Sequence, residues 1–336
     1  MKNRKYMSYL FFAFALFVAA TGSAQERTDK IYVGVAGLSG PLAHAFIPKD
    51  SGLYEKYGLN VELVFFQGGT QLIQATLAGS VKFAVAGGPE IVNARTSGSD
   101  LSMIMGYMNT LPYSIVSAKN ITSFAQLKGG KTAISKFGST SDLAMRFALE
   151  KNNLAPNRDV TILQLGDQTT RFAALTAGAV QATLISPPFD ITAKRLGYHI
   201  LTEMVDLGLP YQHEMVATSD RFIKEHPDVV RKYIQGFIAG IHLWMTDEKK
   251  TKQILARRLR INDDEILDQT YRAYAKLTEK KPYPTLAGIQ FQLDDVAKRN
   301  PKAKVMKPED FVNTTILREL DRSGFIDDLY KKSPAS

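Results

Sequence analysis

The chain has 336 residues, 22% of them charged and 45% hydrophobic, with a formal net charge of +9 and no cysteine. Without cysteine there are no disulfide staples, no thiolate metal sites and no lipid-modified cysteine tether. The basic residues are scattered, which excludes the clustered charge of a nucleic-acid binder, and the length suffices for two cored domains.

Lys2, Arg4 and Lys5 precede an apolar run over residues 9–20, followed by small residues including Gly22 and Ala24. The run is shorter than the ~20 residues a spanning helix needs, so residues 1–24 read as a signal peptide cleaved after Ala24. The mature protein is therefore expected to be periplasmic and untethered. Beyond the leader, β-branched and aromatic runs at 31–35, 61–66, 83–86 and 101–105 alternate with helical patterns, which predicts crossover units around a parallel sheet. One helix starts near Thr70 and stops at Gly79, and another runs from Pro89 to Gly98.

Sliding the sequence on itself by 99 positions exposes an internal repeat. Ala78-Gly79-Ser80-Val81 falls on Ala177-Gly178-Ala179-Val180, Pro89 on Pro188, Ala94 on Ala193 and Gly98 on Gly197. Residues 61–66 fall on 160–165, so each copy holds a strand, loop, helix, strand, loop and helix. A unit of this size is a half-domain rather than a solenoid repeat, and two similar lobes follow. Between the copies lies a strand at 132–135, after which Ser139 and Asp142 have capping-box spacing and predict a helix start. A strand at 215–218 follows the second copy. Pro227 then opens an amphipathic helix in which Val230, Tyr233, Ile234, Phe237, Ile241 and Trp244 recur at spacings of three and four. The remaining helical segments pack most simply on the first lobe. The expected division is lobe I at 25–111 and 211–336, lobe II at 112–210, with crossings near Leu111-Pro112 and Leu209-Pro210.

The segment Ser51-Gly52-Leu53-Tyr54-Glu55-Lys56-Tyr57-Gly58-Leu59-Asn60-Val61-Glu62-Leu63, followed by Phe66-Gln67-Gly68-Gly69, resembles the first-lobe signature of the nitrate, sulfonate and taurine type of periplasmic binding proteins. Residues Phe124-Ala125-Gln126-Leu127-Lys128-Gly129-Gly130-Lys131 and Ser219-Asp220-Arg221-Phe222-Ile223-Lys224-Glu225-His226-Pro227 extend the likeness over nearly the whole mature chain. Departures are Lys82 and Gln181, where the family often carries an acidic residue, and Pro48, which interrupts a first helix that is often continuous there. The resemblance implies an α/β fold of two doubly wound lobes with a hinge, like the type II periplasmic binding proteins. It implies a monomeric solute-binding component of an ABC-type importer, with a small anionic or polar organic molecule and the permease subunits of the inner membrane as partners. A periplasmic sensor presenting the same solute to a receptor is the alternative. A synthase branch of the superfamily resembles an enzyme with a cysteine-rich iron motif, which a chain without cysteine does not share. No enzyme activity and no cofactor are expected.

Ligands of open α/β sheets bind beyond the carboxyl ends of the strands. In the first lobe that places Leu38, Ser39, Gly40, Gln67, Gly68, Gly69, Gly87 and Gly88 at the site. In the second it places Gly138, Ser139, Thr140, Asp167, Gln168, Ser186 and Pro187 there. These loops are rich in glycine, which lets backbone N–H groups approach a ligand, and Asp167 is equally suited to capping its own helix. Gly138 is expected to keep the approach clear of side-chain bulk, and the turn 138–140 to hold the polar end of the solute. His44, His199, His213, His226 and His242 show no metal-ligand spacing, and no nucleophile elbow or phosphate loop is present. Tyr211, Tyr283 and Phe291 are candidate aromatic walls.

Overall fold

A computed structural model describes residues 30–331; the signal peptide read at 1–24 lies outside them. No helix among these residues is long and apolar enough to cross a membrane. The chain opens with β1 (Lys30–Val35), α1 (Ala43–Asp50), α2 (Leu53–Lys56), β2 (Asn60–Phe65), α3 (Gly69–Leu77), β3 (Phe83–Gly87), α4 (Gly88–Thr96) and β4 (Leu101–Met108). It continues through β5 (Ser114–Ser117), β6 (Lys131–Ile134), α5 (Thr140–Lys151), β7 (Thr161–Gln164), α6 (Gln168–Thr176), β8 (Ala182–Ile185), α7 (Phe189–Arg195) and β9 (His199–Glu203). The last stretch comprises β10 (Glu214–Ser219), α8 (Asp220–Glu225), α9 (Pro227–Thr246), α10 (Glu248–Leu259), α11 (Asp264–Ala275), α12 (Leu286–Ala297), α13 (Thr315–Arg322) and α14 (Phe325–Lys331).

The strands form two five-stranded sheets, ordered β2-β1-β3-β10-β4 and β7-β6-β8-β5-β9. Their parallel cores match residue for residue at the 99-residue offset read from the sequence. Tyr32 pairs with Glu62 and Lys131 with Thr161; Val33 pairs with Phe83 and Thr132 with Ala182. Bonds that close the strand ends repeat too, Phe66 N to Val35 O and Leu165 N to Ile134 O, both 2.9 Å. The duplication therefore reaches back to β1 and β6, beyond the stretch legible in the sequence. Each sheet takes its one antiparallel inner strand from a chain crossing: β5 follows the first and β10 the second.

Parallel strands need apolar cover on both faces. Accordingly every residue of β3 and β4 is buried. The long helix α9 supplies much of the cover for the first sheet, burying the stripe from Val230 to Trp244 read in the sequence. Its Gly236 and Gly240 let α2 and α1 approach, since a Cβ there would stand 2.6 Å from Tyr54 Cδ1 and 2.8 Å from Pro48 Cδ. Tyr233 stacks between Tyr54 and Phe83, with ring centroids at 5.2 and 4.0 Å. Pro48 does not interrupt the first helix as expected. It lies within α1, which runs on to Asp50 and ends with Ser51 donating from its amide and hydroxyl to Ile47 O. One lost amide near a helix end costs little when the ring packs on the glycine face of α9.

Candidate functional site

The carboxyl ends of the parallel strands in both sheets point to one cavity of about 50 Å³. Loop residues Ala36, Gly37, Leu38 and Ser39 after β1, Gly68 and Gly69 after β2, and Gly87 at the end of β3 line it from the first sheet. Ser135 after β6, Thr140 and Ser141 at the start of α5, and Asp167, Gln168 and Arg171 around the start of α6 line it from the second. Leu42, Glu90, Tyr113 and Glu214 complete the wall. Of the residues expected from the sequence, Leu38, Ser39, Gly68, Gly69, Gly87, Thr140, Asp167 and Gln168 are in this lining.

The other seven lie outside this lining and make contacts of their own. Gly40 abuts the contact in which Tyr274 Oη donates to Pro187 O at 2.6 Å, so Gly40 and Pro187 belong to a bridge between the two halves. Gly88 packs on Gln212 and Gln292, and Gln67 lies against Gly166. Ser186 donates its amide and hydroxyl to Gln168 Oε1 at 2.8 and 3.0 Å, which fixes the Gln168 side chain. Ser139 caps α5 through the Asp142 amide and accepts from Ser135 Oγ at 2.8 Å. Asp142 accepts from the Gly138 amide at 2.9 Å, one residue earlier than a reciprocal capping box requires. Gly138 adopts a φ of +80°, which favours glycine, and a Cβ there would meet Asn93 Nδ2 at 3.5 Å. Its carbonyl accepts from that Asn93 amide at 3.0 Å. Asp167 caps α6, accepting from Thr170 N at 2.9 Å, and also faces the cavity.

Apart from Asp167, the charged lining escaped the sequence reading. Glu90 sits in the first turn of α4 and is 6% exposed; Glu214 opens β10 and is 3% exposed. Thr140 donates to the two Glu90 oxygens only at 3.3 and 3.4 Å, long for such bonds. Burial raises the Glu90 carboxyl to about 7. Burial, and then the nearby Glu90, raises Glu214 well above the carboxylate range. His213 Nε2 lies 3.3 Å from Glu214 Oε1, but neither ring nitrogen has a hydrogen-bond partner, and burial lowers the imidazole to about 3. The pair is therefore held neutral by desolvation. Arg171 is 2% exposed. It donates to Gly166 O and Leu184 O at 3.1 and 2.9 Å, leaving Nε unpartnered. Burial lowers it to about 10, so it stays cationic at neutral pH.

Gly69 and Gly87 leave room for Glu90 and Thr140. A Cβ on Gly69 would lie 2.4 Å from Glu90 Oε1, and one on Gly87 2.7 Å from Oε2 and 1.9 Å from Thr140 Oγ1. The signal for these groups was a charge inside an otherwise apolar pattern: Glu214 heads the strand Glu-Met-Val-Ala-Thr-Ser, and Arg171 is one turn after Gln168. Of the expected aromatic walls none is in the lining; Tyr211 is buried beside Phe291, with centroids 6.2 Å apart. His44 lies stacked on Trp244 at 4.3 Å and bonds Thr278 Oγ1 at 2.9 Å. Among the described residues no cluster of His, Asp and Glu suits a metal ion.

Residues 42–250 match the NMT1/THI5 like family. A putative ABC transporter periplasmic binding protein of Brachyspira hyodysenteriae is 25% identical over 60% of this chain and 62% of that one. This chain spans about three-fifths of the length of the first curated relatives it matches. Among solved structures, the periplasmic nitrate-binding protein NrtA of Synechocystis PCC 6803 has a TM-score of 0.74 at 14% identity, covering 92% of each chain. The alkanesulfonate-binding protein SsuA of Xanthomonas axonopodis pv. citri, bound to MOPS, has a TM-score of 0.69 at 21% identity. That match covers 83% of this chain and 95% of the other. These likenesses establish the fold as that of periplasmic binding proteins.

Proposed function

This chain belongs to the NMT1/THI5 like family, and on that premise we propose that it is the solute-binding component of an ABC-type importer, not an enzyme. It captures a small polar organic molecule between two lobes in the periplasm, acts as a monomer and delivers its cargo to permease subunits in the inner membrane. Lobe I comprises 25–111 and 211–336, and lobe II 112–210. The carrying observation is one cavity lined from both sheets at the carboxyl ends of their parallel strands, where open α/β sheets hold ligands. Two chain crossings connect the lobes, a hinge compatible with closure around a solute.

A thermal-shift screen of small solutes spanning cations, anions and neutral compounds on the mature chain tests this reading. A solute at 100 times its Kd stabilises the folded state by about 2.7 kcal/mol. At least one compound is expected to raise the melting temperature. Failure of every class on verified ligand-free protein would overturn the proposal.

A further inference from the structure

We propose that this cleft, read as a solute site, takes the cationic N–H-donor end of its solute, an amine, amidine or guanidine group, on Glu90 and Glu214. β10 pairs antiparallel with β3 so that Glu214 lies opposite Gly87, three residues before Glu90, which brings the two carboxyls to one wall. Both are buried and both line the cavity. Glu214 Oε2 has no hydrogen-bond partner although it is shut away from solvent, and a buried acceptor left unpaired is costly until a donor arrives. Beyond its own backbone amide, Glu90 is held by two long bonds from Thr140, while Gly69 and Gly87 clear the volume its carboxyl occupies.

The groups facing this pair do not neutralise it. Arg171 reaches in from the second sheet with two donors spent on backbone carbonyls, and Asp167 beside it adds a third carboxyl. His213 is held neutral, and burial raises the Tyr113 hydroxyl, keeping it uncharged. In this low-dielectric pocket an N–H cation meets the unpaired Glu214 oxygen and the weakly held Glu90 carboxyl, acceptors that a ligand donor can satisfy, with Arg171 the one Lys or Arg side chain in the lining. Because burial favours the protonated carboxyls, a cation binds by ionising them: N⁺–H···⁻O pairs form and the displaced protons leave to solvent. The cavity of about 50 Å³ admits a small head group.

The test titrates the mature wild-type chain at pH 7 with methylamine, acetamidine, methylguanidine and 1,4-diaminobutane, and in parallel with nitrate, acetate and methanesulfonate. Thermal shift and calorimetry in buffers of different ionisation heat are the readouts. The cations are expected to stabilise the protein and to release protons on binding. Glu214→Gln and Glu90→Gln are each expected to weaken that binding by at least about tenfold. Stabilisation by anions alone, or cation binding without proton release and indifferent to both substitutions, overturns the inference and leaves the solute-binding reading standing. If the importer reading itself is wrong, no class of compound in the broader screen stabilises the chain.

Discussion

Replacing Glu90 with glutamine isolates the electrostatic cost built into the cleft. The folded carboxyl is raised to about 7 from an ordinary 4.5, chiefly by burial. An acid with a raised folded value holds its proton longer in the folded than in the unfolded chain. Wild-type stability therefore drains away as pH rises from 4.5 through 7 and levels off above. Glutamine keeps the shape and does not titrate. Between pH 5 and pH 8 the wild type should lose roughly 2.5 kcal/mol relative to Glu90→Gln. That figure is a ceiling, because opening of the cleft hydrates the carboxyl and limits the penalty to the cost of opening. His44 and His213, both lowered to about 3 by burial, act in the opposite sense and remove stability as pH falls below 6.5. Asp190, raised to about 6 by burial, adds a slope of the same sign as Glu90. The difference between wild type and variant cancels these shared contributions. Urea denaturation of both proteins at pH 5 and pH 8 supplies the four stabilities needed. A difference that changes by less than about 0.5 kcal/mol between the two pH values refutes the raised carboxyl, since even a shift of one unit would change it by about 0.7 kcal/mol over that window.

Gly40→Ala places a Cβ 2.5 Å from Pro187 O and 2.2 Å from Tyr274 Cε2, a wedge in the bridge between the halves. Solution scattering is expected to give a larger radius of gyration than for the wild type, and superimposable curves would argue against a closing cleft. Gly236→Ala drives a methyl to 2.6 Å from Tyr54 Cδ1 and is expected to cost about 1–3 kcal/mol through overpacking. The check is the urea midpoint. Ser139→Ala removes the cap that accepts from Asp142 N and should lower stability by about 1 kcal/mol, read as a drop in melting temperature. An unchanged melting temperature would mean that the Ser135 and Ser141 hydroxyls alongside take over the cap.

Local chemistry was enough for the sequence to determine the elements and their repetition. Strands at 31–35, 61–66 and 83–86, the helix opened by Pro227 and the start of α5 at Ser139 all stand within about a residue of where they were read. Apolar periodicity and turn residues act over a few positions and leave a direct trace in the chain. The 99-residue offset was legible for the same reason, as a succession of local patterns repeated in order. Two five-stranded sheets with matching order then follow from parallel strands requiring crossovers.

The character of the cleft was decided by tertiary structure. Glycine-rich loops were read as ligand contacts, and the structure adds a second demand on them: a Cβ on Gly69 would meet Glu90, and one on Gly87 would meet Thr140 and Glu90. Glu90, Arg171 and Glu214 come from a helix turn, another helix turn and the strand exchanged between the halves, separated by dozens of residues in sequence. No local rule marks such groups as neighbours, because charge in a first helical turn ordinarily faces water. Only the register of β10 against β3 sets Glu214 beside the base of α4, and only burial there raises both carboxyls out of their ordinary range.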